Sequence, residues 1–508
     1  MPPLSTVTVS RPGEAEPSVG SPGGGRQDRR AVGLGLAGLL LAFSVLAALY
    51  AVTVPPFLPA DEQSHTAYGL LVAQGRLPTL TTPAPLLQSP GVGPRVYTAN
   101  HPPLYYALVA TPLRLGLASG HRMAGFVAAR LLTVLAGAAG IAAVAALALL
   151  LSPRRPQLAL AAAAIGPLLP SFVHISGLVH NDALGFTTAT VTLAVAALVL
   201  VRGPSARRLA ALAAAAAAAA LTRASGLPLA ALAVLAAGLA PLVHGHRPPL
   251  VRAGAAAVQA ALVAAAVLAA AGWFYLRNQA LYGGLTGTAE NLRLFGLAEH
   301  RPIIGVLGSG RFWSGIYDQL WGRMAGGQFL ATGPLALPGR LLGGLVVAGL
   351  AVGGVRVARS RRLVADGWRP TAGAGHLAAW LLVLVTAALT LVTMAGYVAA
   401  GGGTHARYLY PGLAAISLIA AVGLAELPGR RRSLPILAVL AGQVALNLLL
   451  WATFLSRITP GRPGLAAAVG QGVPATFGLP AGLVVPVAVM LLAAALAMVG
   501  RALWMLDD

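Results

Sequence analysis

Asp61 and Glu62 stand side by side just past the first long apolar run, with His65 one helical turn further on. Only 13 acids serve the 508 residues, and a carboxylate is costly near hydrocarbon, so an adjacent pair marks a place for chemistry. Such a group can act as a general base, and two or three with a histidine can hold a divalent metal. On a helix, positions 61 and 65 share a face while 62 lies about 100° away. Helix capping is the plain alternative, and it accounts for Glu62 more easily than for Asp61. The first histidine of a His-Glu-x-x-His pattern is missing, which argues against a zinc protease.

A second group closes the same loop: Asn100-His101-Pro102-Pro103-Leu104-Tyr105-Tyr106. The stiff Pro-Pro step fixes the direction of His101, although a solvated loop histidine is an equally plain reading, and the tyrosines suit a membrane-boundary belt. His180-Asn181-Asp182 occupies a tight turn, where Asn-Asp is ordinary. That turn needs no acid, however, and Asp182 falls on the same membrane face as Asp61. Arginine mixed with aromatics recurs in three places: Arg277 after Trp273-Phe274-Tyr275, Arg323 after Trp321, and Arg407-Tyr408 after Gly401-Gly402-Gly403. Guanidinium forks match phosphate oxygens, and rings can line an acyl or sugar site. Snorkelling arginines beside an aromatic belt are the competing explanation. Thr222-Arg223, between two Ala-rich runs, reads as low-complexity packing.

The elements that must position these groups are membrane helices. The chain is 57% apolar and 9% charged, and uncharged runs of about twenty residues recur, the length that spans a bilayer. The ten-residue alternation of a β-barrel is missing. With no cysteine, disulfides and thiolate metal sites are excluded. All 35 basic residues are arginine, and the net charge of +22 reflects sorting across the membrane, with no nucleic-acid partner implied.

Residues 1–30, rich in Pro, Gly and Ser, read as a disordered cytoplasmic tail, and 502–508 as a second cytoplasmic tail. Between them, 31–501 form a single all-α transmembrane bundle of about twelve spans. The runs are 31–53, 126–151, 157–177, 183–201, 209–223, 226–243, 253–276, 336–355, 376–397, 409–426, 435–455 and 480–500. Residues 102–118, with three prolines and Arg114, are short for a span and suit an interfacial helix in the first external loop, as do residues from 61 to a cap at Gly75. Placing Arg154-Arg155, Arg207-Arg208 and Arg252 inside puts Asp61, Glu62, Asp182, Glu290, Glu299 and Asp318 outside. External loops 54–125 and 277–335 then form the active face of a multi-pass plasma-membrane protein.

Taken in order, these residues resemble the GT-C superfamily of integral-membrane glycosyltransferases, above all the protein O-mannosyltransferases and the lipid A aminoarabinose transferases. The carriers are Asp61-Glu62 in the first external loop, the Pro-Pro-Leu-x-Tyr stretch after His101, Asp182 between two later spans, and Arg407-Tyr408-Leu409-Tyr410-Pro411. The aminoarabinose branch favours lysine before the Pro-Pro, where this chain has His101.

The resemblance implies a GT-C-like fold and transfer of a sugar from a polyprenyl-phosphate donor, with inversion. The acceptor would be a hydroxyl of a glycan, lipid or protein on the extracytoplasmic face. Asp61 and Glu62 would be catalytic, Asp61 as base. His65, His101, Tyr105, Arg277, Arg323, Arg407 and Tyr408 would bind substrate or its phosphate. Asp61, Glu62 and Asp182 would hold a divalent metal, if the reaction uses one; membrane lipids are the other partners. A transporter or flippase of a lipid-linked sugar, or a non-catalytic membrane protein, are the alternatives. A single site requires Asp61, Asp182 and Arg407 to converge on one outward cavity.

Overall fold

The computed structural model describes residues 24–58, 61–84, 95–244, 248–297, 300–324, 329–330, 333–363, 373–427, 433–458 and 481–507. Leu- and Ala-rich runs, strong helix formers with few polar groups to bury, become long helices. The chain opens with α1, Gly24–Thr53. The first long loop carries α2, Glu62–Ala73, and α3, Leu104–Ala118. Then follow α4 (Arg122–Leu151), α5 (Gln157–Ile165), α6 (Pro170–Ser176), α7 (Asp182–Arg202), α8 (Ala206–Thr222), α9 (Gly226–His244) and α10 (Pro249–Tyr282). The second long loop holds α11 (Thr288–Leu294), α12 (Ile303–Leu307), α13 (Gly310–Gly322) and two antiparallel two-residue strands, β1 (Arg323–Met324) and β2 (Phe329–Leu330). Helices α14 (Leu337–Leu363), α15 (Ala374–Ala399), α16 (Leu413–Ala425), α17 (Leu434–Ile458) and α18 (Ala481–Asp507) complete the bundle.

Among the described residues, 10 helices are long and apolar enough to cross a membrane, or 11 if α5 and α6 count as one span. The remaining expected run, 209–223, is α8, whose 17 residues fall short of the roughly 20 that usually span a bilayer. The run 157–177 is not one straight helix as the hydropathy suggests: α5 and α6 meet at 72°. Gly166, Pro167 and Pro170 interrupt the hydrogen-bond ladder there. Two freed carbonyls are satisfied from α17, Ile165 O by Gln443 Nε2 at 2.7 Å and Leu168 O by Asn447 Nδ2 at 2.9 Å. At the far end of α6, a Cβ on Gly177 would lie 2.5 Å from the Ala47 carbonyl oxygen, so only glycine lets the following turn press against α1.

The helix boundaries at both ends differ from the expected tails. Helix α1 starts at Gly24, before the expected boundary at 31, and α18 runs through Asp507, past the boundary at 502. The Asp507 carboxylate accepts a hydrogen bond from the Ser433 hydroxyl, which anchors that last turn. Residues 1–23 lie outside the described residues. Arg30 of α1 and Arg501 of α18 line one groove, so these two helix ends share one end of the bundle. Alternation of the helices gathers both long loops and the 177–181 and 223–225 turns at the other end.

In the first loop, α3 exposes Leu108, Leu115 and Leu117, as a helix in a membrane interface would. Helix α2 is buried nearly all round, with Tyr68 stacked on Tyr106 of α3 at 3.6 Å between ring centroids. Gln74 caps it, followed by Gly75 at φ +73°. The main apolar core is separate and runs through α1, α4 to α10 and α14 to α18.

Candidate active site

Asp61 stands at the N-cap of α2 with φ +73°, a left-handed conformation that Asp tolerates better than most residues, and its side chain makes no capping bond. What imposes this backbone is its neighbour. The Glu62 carboxylate is fully buried and accepts from Arg130 Nε at 2.8 Å and Nη2 at 2.7 Å. It also accepts from the Val179 N–H at 2.9 Å and the Phe57 N–H at 3.1 Å. Arg130, from within α4, spends its other donors on the Ala51, Val54 and Pro55 carbonyls. One buried ion pair thus ties the end of α1, the start of α2 and the 177–181 turn to α4. Its value lies in orientation, since burying two charges gives little net stability.

Freed from capping, the Asp61 carboxylate points into the bundle mouth. Tyr97 Oη donates to Oδ1 at 2.9 Å, and Arg407 Nη2 donates to Oδ2 at 2.6 Å. Burial opposes ionisation of Asp61, but the Arg407 guanidinium outweighs it and holds its pKa well below the usual carboxylate range.

His180 continues the chain of contacts. Arg407 Nη1 lies 2.9 Å from His180 Nε2, and a guanidinium can only donate, so Nε2 accepts and Nδ1 carries the proton. Nδ1 then faces Asp182 Oδ2 at 3.3 Å. The Asp182 N–H also lies 3.2 Å from Nδ1, a contact that would need the other tautomer; the Arg407 contact decides between them. Burial, with Arg407 and Arg223 nearby, pushes the His180 pKa down to about 4 despite the pull of Asp61, so the ring is neutral at pH 7. Asp182 is paired with Arg223, which also donates to Asn181 Oδ1 at 3.1 Å.

His65 packs beside His180 with ring centroids 4.1 Å apart, and its Nδ1 is 2.8 Å from the Tyr106 hydroxyl. Burial and the neighbouring imidazoles pull the His65 pKa well below its ordinary value. Burial, Arg223 and His180 do the same to His101.

These groups border a cavity of about 600 Å³. Of the residues singled out in the sequence, Asp61, His65, His101, Arg407 and Tyr408 line it. Glu62, Asp182 and Tyr105 do not, so Asp61 and Arg407 converge on the cavity as expected while Asp182 stands behind its lining, paired with Arg223. Tyr105 sits in the core with its hydroxyl 2.8 Å from Thr133 Oγ1. Arg277 donates to the Pro78 carbonyl at 2.8 Å, tying the first loop to α10 away from the cavity lining. Arg323 lies in β1, and its side chain falls outside the described residues. Conversely Arg223, read from the sequence as packing, lines the cavity, as do Tyr97 and His180. The available signal for Arg223 is its place: an arginine in a tight turn between two spans, on the same face as Asp61.

The expected metal set is not assembled. Among the described residues no group of three or more His, Cys, Asp or Glu is placed to hold an ion. Arg407 engages Asp61, Arg130 engages Glu62 and Arg223 engages Asp182, so each carboxylate already faces a guanidinium where a cation would sit. This donor set does not fit a divalent metal.

No family model and no curated protein matches this chain. Among solved structures, the chain is similar to ArnT from Cupriavidus metallidurans bound to undecaprenyl phosphate, at 17% identity over 94% of this chain and 76% of that one, with a TM-score of 0.47. It is also similar to the Archaeoglobus fulgidus oligosaccharyltransferase in its apo form, at 13% identity over 84% of this chain and 59% of that one, with a TM-score of 0.44. For AglB from the same archaeon, in complex with an inhibitory peptide and a dolichol-phosphate, the values are 16%, 92%, 56% and 0.39. At such scores the likeness is distant, and the chemistry has to come from the side chains of this chain.

Proposed function

We propose that the chain is an integral-membrane glycosyltransferase that moves a sugar from a polyprenyl-phosphate donor to an acceptor hydroxyl at the mouth lined by Asp61. The observation that carries this reading is the Asp61–Arg407 pair: a carboxylate and a guanidinium side by side on one cavity, 2.6 Å apart. The donor's phosphate is the leaving group, and it needs cationic stabilisation, which Arg407 and Arg223 are placed to supply. The acceptor hydroxyl attacks the anomeric carbon as the bond to the phosphate oxygen breaks. Its proton passes to Asp61. A single displacement inverts the anomeric centre.

The pair also explains how a carboxylate with so low a pKa can serve as a base. A phosphate beside Arg407 competes for the guanidinium, loosens its hold on Asp61 and lets the Asp61 pKa rise towards the acceptor's needs. His65, His101 and His180, neutral at pH 7, surround the reacting groups without adding charge. Glu62 acts on Asp61 through the backbone and is a positioning residue. The arginine-rich connectors at the opposite end of the bundle support an extracytoplasmic orientation of this mouth in the plasma membrane.

A flippase reading would draw on the broken α5–α6 span, since transporters expose unwound backbone to their cargo. Here Gln443 and Asn447 take the Ile165 and Leu168 carbonyls, and the one acid among the cavity-lining residues, Asp61, sits at one end of the bundle. The test is transfer in membranes carrying the full chain, supplied with labelled undecaprenyl-phosphate sugars. Label should leave the lipid for an acceptor in a manner dependent on Asp61. Movement of intact donor across the bilayer without transfer would sink the reading.

A further inference from the structure

A groove of about 540 Å³ runs between α1 and α18, at the end of the bundle away from the Asp61 cavity. It is lined by Arg30 and Leu34 of α1 and by Ala497, Met498, Arg501 and Met505 of α18. Both helices are long and apolar enough to cross a membrane, and both arginines fall within those stretches. The helices run antiparallel: a Cβ on Gly35 would stand 3.0 Å from the Ala502 Cβ, and one on Gly38 2.7 Å from the Ala495 carbonyl oxygen. Arg501 therefore lies close to the level of Gly35, and Arg30 sits five residues, about 7.5 Å, nearer the helix ends. Ala497 and Met498 continue the groove one turn deeper than Arg501. Trp504, 53% exposed, stands one turn further out, the usual place of a tryptophan at a membrane boundary.

Neither guanidinium makes a hydrogen bond or an ion pair among the described residues. Asp28 and Asp507, the described acids of these two helices, do not line the groove, and the Asp507 carboxylate is taken by Ser433. A cation inside a span is costly unless it reaches water or an anion, and Arg501 stands with apolar side chains on either side along the groove. The order from the helix ends inward is charge, then apolar surface, which is the order of a phospholipid's phosphate and acyl chain. We infer that the groove seats one anionic phospholipid, its phosphate between Arg30 and Arg501 and one acyl chain along Leu34, Ala497 and Met498. A free phosphate would leave most of this surface uncovered. A second copy of the chain fits poorly, because a two-fold contact here would bring four unpaired arginines together. The seat is far from Asp61 and does not depend on the transferase reading.

The test is lipid binding to the delipidated full chain in detergent, read by native mass spectrometry, which counts bound lipids and copies of the chain together. The probes are dioleoylphosphatidylglycerol, dioleoylphosphatidylcholine and glycerol 3-phosphate. Phosphatidylglycerol should bind in preference to phosphatidylcholine, and glycerol 3-phosphate should not displace it. Arg30→Gln and Arg501→Gln should each weaken phosphatidylglycerol by about tenfold, the worth of a hydrogen bond to a charged group. Arg29→Gln removes an exposed charge beside the groove and should change binding by less than about threefold. Ala497→Trp fills the apolar part and keeps both arginines, and it should weaken the lipid as well. Equal losses for Arg29→Gln and Arg501→Gln would mean diffuse attraction and would overturn the seat, as would phosphatidylcholine bound equally well. Displacement by glycerol 3-phosphate would reduce it to a phosphate site. Dimers in place of bound lipid would give the groove to a second copy, and lipid bound only after deletion of residues 2–22 would give it to that segment; each of these outcomes overturns the inference.

Discussion

Arg407 and Asp61 are joined at 2.6 Å from Nη2 to Oδ2, and the same guanidinium reaches His180 Nε2 at 2.9 Å. The contact keeps Asp61 ionised and at the same time keeps it from taking a proton. In the reaction we propose, a working base has to be released by whatever draws Arg407 away, and an anionic donor would do that by its own charge. Binding and activation of the base become one event.

Asp61→Asn follows directly. The amide cannot accept the proton, so transfer should fall by roughly 10² to 10⁴, the usual worth of a general base. The same change removes the partner that competes for Arg407. Affinity for bare undecaprenyl phosphate should therefore be unchanged or tighter, read by direct titration. Transfer at the wild-type rate, or loss of phosphate-lipid binding, would contradict this arrangement.

Glu62 answers to different physics. Its carboxylate and Arg130 are both fully buried, and removing either partner strands a charge in the interior. Glu62→Gln should lower stability by about 3–5 kcal/mol, seen as a large drop in Tm in detergent. Glu62→Gln combined with Arg130→Met should recover part of that stability without recovering transfer, because the loop holding Asp61 stays unanchored. A Glu62→Gln protein with an unchanged Tm would rule out the positioning role.

The buried histidines set an acid limit. His65, His101 and His180 have folded pKa values below their ordinary value of about 6.5, with His180 near 4. Each is held neutral when folded and takes up a proton more readily when unfolded. The stability they contribute is fully present above pH about 6.5 and is lost as pH falls towards 4. Tm should decline across that window at constant salt, and His180→Gln should flatten the decline. Parallel curves for the two proteins would exclude His180 as a contributor.

The bundle was legible in the sequence because length and hydropathy suffice to mark a span, and Asp61 and Arg407 stood out because charge is scarce at a membrane face. Partnership was not legible. Adjacency suggested that Asp61 and Glu62 share a task, yet the left-handed backbone at Asp61, just before the helix begins, sends one into the cavity and the other to Arg130, a residue inside a span that no local pattern announces. Arg277 looked like a phosphate ligand from its aromatic neighbours, but its Nη2 donates to the Pro78 carbonyl and it lies outside the cavity lining. Arg223 looked like filler because its meaning comes from Asp182, which only the fold brings beside it.

The contrast between those two arginines gives the sharpest mutational test. Arg223 lines the cavity with Arg407, so on the proposed phosphate seat Arg223→Gln would remove a charge-assisted contact. Affinity for undecaprenyl phosphate should fall roughly tenfold to a hundredfold, the worth of a hydrogen bond to a charged group, and transfer should fall with it. Arg277→Gln removes a tie between the first loop and α10 at a site outside the cavity lining, so binding should stay within about threefold of wild type, an effect no larger than a surface hydrogen bond. Titrating both variants with the same lipid at fixed salt separates the two positions, since general loss of positive charge at the mouth would weaken them alike. Equal losses would mean that electrostatic attraction over the whole face, and not a phosphate seat at Arg223 and Arg407, governs donor binding.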